Sequence, residues 1–137
     1  MKGLPTLMRL AQAEIDARQR ALGEIDARLI ALEEEARAHE RGMAAEAESV
    51  GGDPGQMATF GAYIQFALAA RTDFVRRRQA IEQEAESVRA GLNEAFLELK
   101  RLELVVAKVA QQEFAAAEAR ERAAFDEAAI TRYARRT

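Results

Sequence analysis

Apolar residues recur at every seventh position in two rows along most of the chain, and the pattern is interrupted once, at Gly51–Gly55. Before the interruption the rows are Met8, Ile15, Leu22, Leu29, Ala36 and Met43, and Ala11, Ile25 and Leu32. After it they are Phe60, Ala67, Phe74, Ile81, Val88, Ala95, Leu102 and Val109, and Ile64, Ala85, Leu92, Leu99 and Val106. Rows with this spacing form one narrow apolar seam on a helix and are typical of left-handed coiled coils. The pattern predicts two long helices that pack against each other.

Signals around the interruption predict where one helix ends and the next begins. Asp53, Pro54 and Gln56 occupy the N-cap, first and third positions of a capping-box pattern, with proline where its missing N–H is not needed. Gly51 and Gly52 are expected to take the left-handed conformation that ends a helix. We predict helix one at about 5–50, a turn at 51–53 and helix two at about 54–132. The predicted fold class is all-α, a long antiparallel two-helix coiled-coil hairpin with unequal arms, forming a single domain over residues 1–137.

Folding the chain back at residue 52 predicts which residues face each other across the seam. The register pairs Met43 with Phe60, Ala36 with Ala67, Leu29 with Phe74, Leu22 with Ile81, Ile15 with Val88 and Ala11 with Leu92. Arg18, Arg71 and Arg78 interrupt the rows, and we expect their methylene groups to lie along the seam with the charge outside. Three interior glycines lie off the rows and should be tolerated within continuous helices: Gly23, Gly42 and Gly91.

The second helix is predicted to be longer than the first. Because Leu4 reaches its mate near Leu99, the chain after about Leu102 has no partner within the protein. The apolar stripe nevertheless continues through Leu102, Val105, Val106, Val109 and Phe114. A single helix that exposes such a stripe is marginal in water. We therefore expect either that two copies associate through this end, or that the free arm enters a groove or pore of another protein.

Aromatic residues cluster at the start of helix two. Phe60 and Ile64 belong to the seam, whereas Tyr63 and Phe66 fall outside it on flanking or outward faces. Exposed aromatic side chains on a rigid element are common anchors for a partner protein. The alternative is that they only cap the end of the seam, and the sequence leaves both interpretations open.

Composition argues against most chemistry. The chain has no cysteine, which excludes disulfides, thiol nucleophiles and cysteine zinc sites. A net charge of −3 gives no reason to expect a nucleic-acid partner. The single histidine, His39, lies on a seam row and is expected to be structural, and the carboxylates lie on exposed helix faces without a cleft. No signal peptide and no membrane-spanning run are found. We expect a cytoplasmic protein that is not an enzyme, binds no cofactor or metal, and does not insert into the membrane.

Two local stretches carry a resemblance to a known family. Residues 60–66, Phe-Gly-Ala-Tyr-Ile-Gln-Phe, are similar to the aromatic stretch that opens the second helix of the FliJ family. Residues 122–129, Arg-Ala-Ala-Phe-Asp-Glu-Ala-Ala, followed by Arg132, are similar to the closing segment of that family. Length and the two unequal helices around a glycine-rich turn also match, so the resemblance spans nearly the whole chain. The chain departs from the family pattern in being rich in alanine and poor in lysine.

The resemblance implies a stalk in the flagellar type III export apparatus. FliJ proteins look like the central rotor hairpin of rotary ATPases, and their open end enters the pore of the hexameric export ATPase. Their turn end is thought to contact the cytoplasmic domain of the export-gate membrane protein, at the cytoplasmic face of the inner membrane, and some members escort export chaperones. The implied ATPase-facing residues are Val105, Val106, Val109, Phe114, Phe125, Asp126, Glu127 and Arg132, and the implied gate-facing residues are Tyr63 and Phe66. The alternatives are the equivalent stalk of a virulence secretion system and a purely structural, self-associating coiled coil.

Overall fold

Two long helices make up the fold. The computed structural model describes residues 3–136, in which helix α1 spans Leu4–Ser49 and helix α2 spans Pro54–Arg136. The helices contain 46 and 83 residues, they pack together, and no strand occurs among residues 3–136. The predicted all-α helical hairpin with helices of unequal length is confirmed. The helix bounds agree with the prediction within one residue, except that α2 ends at Arg136 rather than near residue 132.

The start of α2 is built largely as the capping pattern predicts. The Asp53 carbonyl accepts the first helical bond from the Met57 N–H at 3.0 Å. The side chain of Gln56 reaches back, and its Oε1 accepts a hydrogen bond from the Gly51 N–H at 3.1 Å. This bond satisfies a donor two residues before the N-cap rather than the N-cap N–H of a standard capping box.

The prediction that Gly51 and Gly52 end α1 in the left-handed conformation is wrong. No glycine within residues 3–136 has a positive φ. Gln56 already satisfies the Gly51 N–H from the other side of the turn. The Ser49 hydroxyl donates to the Glu46 carbonyl at 2.9 Å, which satisfies one of the carbonyls that a helix end leaves open. The connection between the helices therefore does not use the left-handed closure that glycine permits.

The chain divides into two compact units. One is formed by residues 15–93, and the other by residues 1–14 and 94–137. The buried apolar side chains of the first are Ile15, Ile25, Leu32, Met43, Ala67 and Ala85. Those of the second, among its described residues, are Leu4, Ala11 and Ala95. All nine lie on the predicted rows, with Leu4 one heptad before Ala11. The heptad seam is thus the core of each unit, whereas a single domain over residues 1–137 stays a prediction.

Within the unit of residues 15–93, His39 contacts residues of α2 that lie farther from the turn than the predicted register placed them. His39 Nε2 lies 3.1 Å from the Ala67 carbonyl oxygen, and its ring centroid lies 5.5 Å from that of Phe74. The register had placed Ala36 opposite Ala67 and Leu29 opposite Phe74. The difference arises because helical side chains lean toward the N-terminus of their own helix. In an antiparallel pair, a backbone register therefore misses the level at which long side chains meet.

Ion pairs between the helices flank the seam in this unit. Near the turn, α1 supplies carboxylates and α2 supplies arginines, in the pairs Glu40–Arg71, Glu35–Arg77 and Glu33–Arg78. Further along, the signs are reversed, because Arg28 of α1 pairs with Glu84 of α2 at 2.7 Å. Most of these side chains are about half exposed, so each pair contributes little on its own. Their order confirms that the two helices run antiparallel.

Arg18 gives one of the interior glycines a packing role. Arg18 is half-buried, and a Cβ built on Gly91 would lie 2.6 Å from its Nη1 and 2.9 Å from its Cζ. No atom lies within 4 Å of a Cβ built on Gly23. Gly91 therefore leaves room for the Arg18 guanidinium, and it lies within a continuous helix as predicted. The charged end of Arg18 lies against α2 rather than outside the seam.

Candidate partner-binding surfaces

The C-terminal arm, defined as residues 103–136 of α2, exposes nearly all its side chains. Val109 is half-buried, and every residue from 110 to 136 is exposed. The large apolar side chains in the open include Leu104 at 62% exposure, Phe114 at 65% and Phe125 at 77%. The helix is continuous to Arg136. The sequence prediction that the apolar stripe runs on beyond its partner within the chain is thus confirmed.

The predicted arm residues do not share one face of the helix. Val105 and Val106 lie four and three residues before Val109, which places all three on one side. Glu127 follows Val109 by five turns and returns to that side. Phe114 and Phe125 are about three turns apart, and Arg132 follows two turns later, so these three form a second face. Asp126 lies on neither face. The arm therefore carries at least two distinct surfaces.

The polar contacts of the arm are local. Arg122 and Glu118 form an ion pair at 3.9 Å within one turn of the helix. The Thr131 hydroxyl donates to the Glu127 carbonyl at 2.9 Å. Arg135 and Arg136 occupy the last turn, where positive charge interacts favourably with the helix dipole. These contacts support the helix itself and leave its apolar surface uncovered.

The two aromatic residues predicted as anchors near the start of α2 differ in exposure. Phe66 is 69% exposed. Tyr63 is half-buried, its ring stacks on that of Phe60 with centroids 6.5 Å apart, and its hydroxyl lies near Gly42 of α1. Tyr63 is therefore on a flanking position and part of the packing, while Phe66 points outward. The two are three residues apart and lie on the same side of the helix.

Comparison with known protein families identifies the chain. The sequence model of the flagellar FliJ protein family matches residues 1–137, the whole chain. The chain belongs to the FliJ family. No curated protein matches it, and no solved structure does. The predicted family resemblance is confirmed.

Family membership establishes the general role. This FliJ-family chain is a protein associated with flagellar type III export, and the family is a non-catalytic component of the export apparatus. Within residues 3–136, neither helix has a stretch long and apolar enough to span a bilayer. In the same part of the chain no group of three or more His, Asp or Glu side chains is arranged to hold a metal ion.

A groove between the two helices of this FliJ-family chain was not predicted. It has a volume of about 290 Å³ and is lined by Leu32, Glu33, Ala36, Glu40, Arg71, Phe74, Val75 and Arg78. Val75, in its lining, and Leu68, one heptad earlier on α2, are about half exposed. A signal was present in the sequence, because Met57, Leu68 and Val75 are spaced by 11 and 7 residues and so form a row next to the seam. Sequence reasoning assigned the apolar residues to the seam and overlooked this row.

The charged rim of the groove is internally paired. Arg71 Nε donates to Glu40 at 2.6 Å, and Nη2 donates to the second carboxylate oxygen. These hydrogen bonds lower the pKa of Glu40 and raise that of Arg71. On the α1 surface, hydrogen bonds from Arg37 and Arg41 lower the pKa of Glu34 in the same way. These carboxylates are fixed in their charged form, which suits an ion-pair role and not general acid–base chemistry.

Proposed function

We propose that this chain is the non-enzymatic stalk of the flagellar type III export apparatus, acting in the cytoplasm at the inner face of the membrane. In this proposal the C-terminal arm enters the hexameric flagellar export ATPase, through residues that include Val105, Val106, Val109, Phe114, Phe125, Asp126, Glu127 and Arg132. Tyr63 and Phe66 contact the cytoplasmic domain of the export-gate membrane protein. The same protein escorts export chaperones.

The exposed apolar surface of the C-terminal arm carries this proposal. Leu104 and Phe114 are each more than 60% exposed on a continuous helix. Large apolar side chains left in water at this density mark a surface that a partner covers. Family membership supplies the export apparatus as the setting for that partner. It also favours the flagellar system over the virulence system.

Truncation after Leu102 tests the proposal. The shortened chain keeps all nine buried apolar residues, so we expect it to remain helical and to unfold cooperatively. It should no longer promote hexamer formation or stimulate hydrolysis by the export ATPase. The measurements are circular dichroism on heating, and ATPase activity with hexamer mass as a function of stalk concentration.

A full-length point variant serves as a second arm of this test. Phe114→Asp changes only a side chain that is already exposed, so pairing of the helices should be unaffected while stimulation falls. Full stimulation by the truncated chain would refute the stalk assignment. Sedimentation of the wild-type chain at micromolar concentration distinguishes the self-associating alternative, which requires a mass that rises with concentration.

A further inference from the structure

The groove between the helices lies where α2 has a wider apolar stripe than a two-helix seam needs. Ala67 and Phe74 belong to a seam row, and each is followed directly by a further apolar residue. These further residues, Leu68 and Val75, are 48% and 56% exposed, so α1 covers them only in part. Three apolar positions per heptad are typical of a helix in a bundle, whereas a two-stranded coiled coil uses two. On this side α2 therefore has apolar surface for one more helix than the fold supplies.

This third apolar row is local to the groove. Seven residues before Leu68 the same position is Gly61, and the next two positions after Val75 are Glu82 and Arg89. The apolar part of the row therefore spans about two heptads, which is roughly 21 Å of helix. Because its residues are seven apart, they lie along the helix axis and match the spacing of side chains on a second helix lying alongside.

Two ion pairs between the helices bound the groove along its length. Glu40 of α1 pairs with Arg71 of α2. One heptad away on each helix, Glu33 pairs with Arg78 at 3.8 Å. Seven residues of helix are about 10 Å long, so this is the spacing between the two pairs. Ala36 lies between them on α1 and lines the groove, and its small side chain leaves a hole of about 290 Å³.

The charges around the groove favour an uncharged occupant. Two carboxylates and two guanidinium groups of the rim cancel, and each carboxylate already pairs with an arginine of the other helix. A charged side chain placed between these pairs would lose water without gaining a counter-ion of its own. A large aliphatic or aromatic side chain is complementary, because the other lining residues are apolar: Leu32, Ala36, Phe74 and Val75. A second copy fits poorly, because two concave grooves that face each other enclose a void.

We propose that this groove binds a short amphipathic helix of another protein, which packs as a third helix beside α1 and α2. The bound helix inserts one large apolar side chain between the two ion pairs and places a second, seven residues away, against Leu68. The residues next to these two are small or uncharged. The groove is lined by neither Tyr63 nor Phe66 and by no residue of the C-terminal arm, so this inference does not depend on the proposed function.

The chain contains no tryptophan, so the fluorescence of a tryptophan in a peptide reports the contact without background. The probe is a synthetic helical peptide of three heptads, with a central tryptophan, a leucine seven residues to either side, and alanine and glutamine elsewhere. A peptide of the same composition in scrambled order is its control. With the full-length chain, we expect a saturable blue shift of the tryptophan emission for the probe and none for the scrambled peptide.

Variants of the chain assign the binding to the groove. Ala36→Leu fills the groove and should weaken binding of the probe at least about tenfold, as loss of an anchor pocket does. Ala38→Leu, at an exposed position of α1 outside the groove, is the matched control and should bind as the wild type does. Val75→Asp changes a side chain that is already half exposed and should weaken binding by a similar factor. Circular dichroism on heating shows whether each variant is folded, and Val75→Asp decides if Ala36→Leu is not.

Three results would overturn the inference. Equal affinity of the wild type and both groove variants would show that the probe binds elsewhere, for example on the C-terminal arm. The absence of a saturable shift up to about 1 mM peptide would show that the groove does not bind such a helix. Neither of these results affects the stalk assignment. Self-association of the wild-type chain that Ala36→Leu abolishes, measured by sedimentation without peptide, would show that a second copy occupies the groove instead of another protein.

Discussion

The unit of residues 15–93 and the C-terminal arm consist of the same kind of helix but differ in what covers their apolar side chains. In the former, Ile15 is 1% exposed and Ile25 is 3% exposed, whereas Ile130 in the arm is 69% exposed. Alanine, the strongest helix former, is abundant in the arm, which favours the helix there although no seam is buried. The comparison teaches that apolar residues in this chain serve two purposes, stability in one region and an open surface in the other.

Two isoleucines give the sharpest test of this comparison. Ile15→Ala should lower the free energy of unfolding by about 2–5 kcal/mol, because it removes a fully buried side chain and leaves a cavity. The matched variant Ile130→Ala should leave it nearly unchanged. Urea denaturation followed by circular dichroism measures both. Equal losses for the two variants would show that the arm is covered within the protein and would break the comparison.

Alanine substitutions at two glycines of the paired helices should have smaller effects on the free energy of unfolding, and these effects should differ from each other. Gly23→Ala should raise the free energy of unfolding by about 1 kcal/mol, since a Cβ there meets no atom and alanine favours the helix. Gly91→Ala should gain clearly less, because its methyl group would displace the Arg18 guanidinium. When Arg18 is also replaced by alanine, Gly91→Ala should raise the free energy of unfolding by as much as Gly23→Ala does. An undiminished gain in the wild-type background would contradict the packing role of Gly91.

The smallest expected effect concerns ion pairs. The pKa of Glu40 is lowered in the folded state by the Arg71 hydrogen bonds, so the pair stabilises the fold above the unfolded pKa of Glu40 and loses this contribution as pH falls through the lower, folded value. Glu40→Gln should therefore reduce Tm slightly at pH 7, and the difference from wild type should fade below about pH 4. The control is Glu118→Gln in the arm, whose partner Arg122 lies on the same helix. A pH-independent Glu40→Gln effect would argue for lost packing instead.

The sequence predicted the core because residues at heptad spacing lie on the same side of a helix and face its partner helix. All nine buried apolar residues lie on the two rows or their extension to Leu4, and the capping pattern placed the start of α2 at Pro54. What it could not supply was side-chain direction. Contacts of His39 with Ala67 and Phe74 depend on how far side chains lean along each helix. The Arg18–Gly91 contact depends on the rotamer of Arg18. Neither the lean of the side chains nor this rotamer can be deduced from the spacing of apolar residues.

The candidate site was predicted less completely than the core. The residues of the arm were chosen from the apolar stripe and from the family's closing segment, and the continuous helix distributes them over more than one face. Tyr63 was grouped with Phe66 because both lie off the seam rows, yet Tyr63 is partly used in packing against Phe60. The heptad position of a residue predicts the side of the helix on which it lies, but it does not predict whether the side chain is exposed to water or packs against a neighbouring side chain.

The reversal of charge between Glu33–Arg78 and Arg28–Glu84 has a mechanical consequence. A heptad repeat alone permits two helices to slide past each other by seven residues while still burying apolar side chains. Here such a slip would bring like charges of the two helices closer together and so oppose the movement. The crossover in sign therefore opposes slippage of the two helices past each other, with each exposed pair contributing only a small part of that resistance.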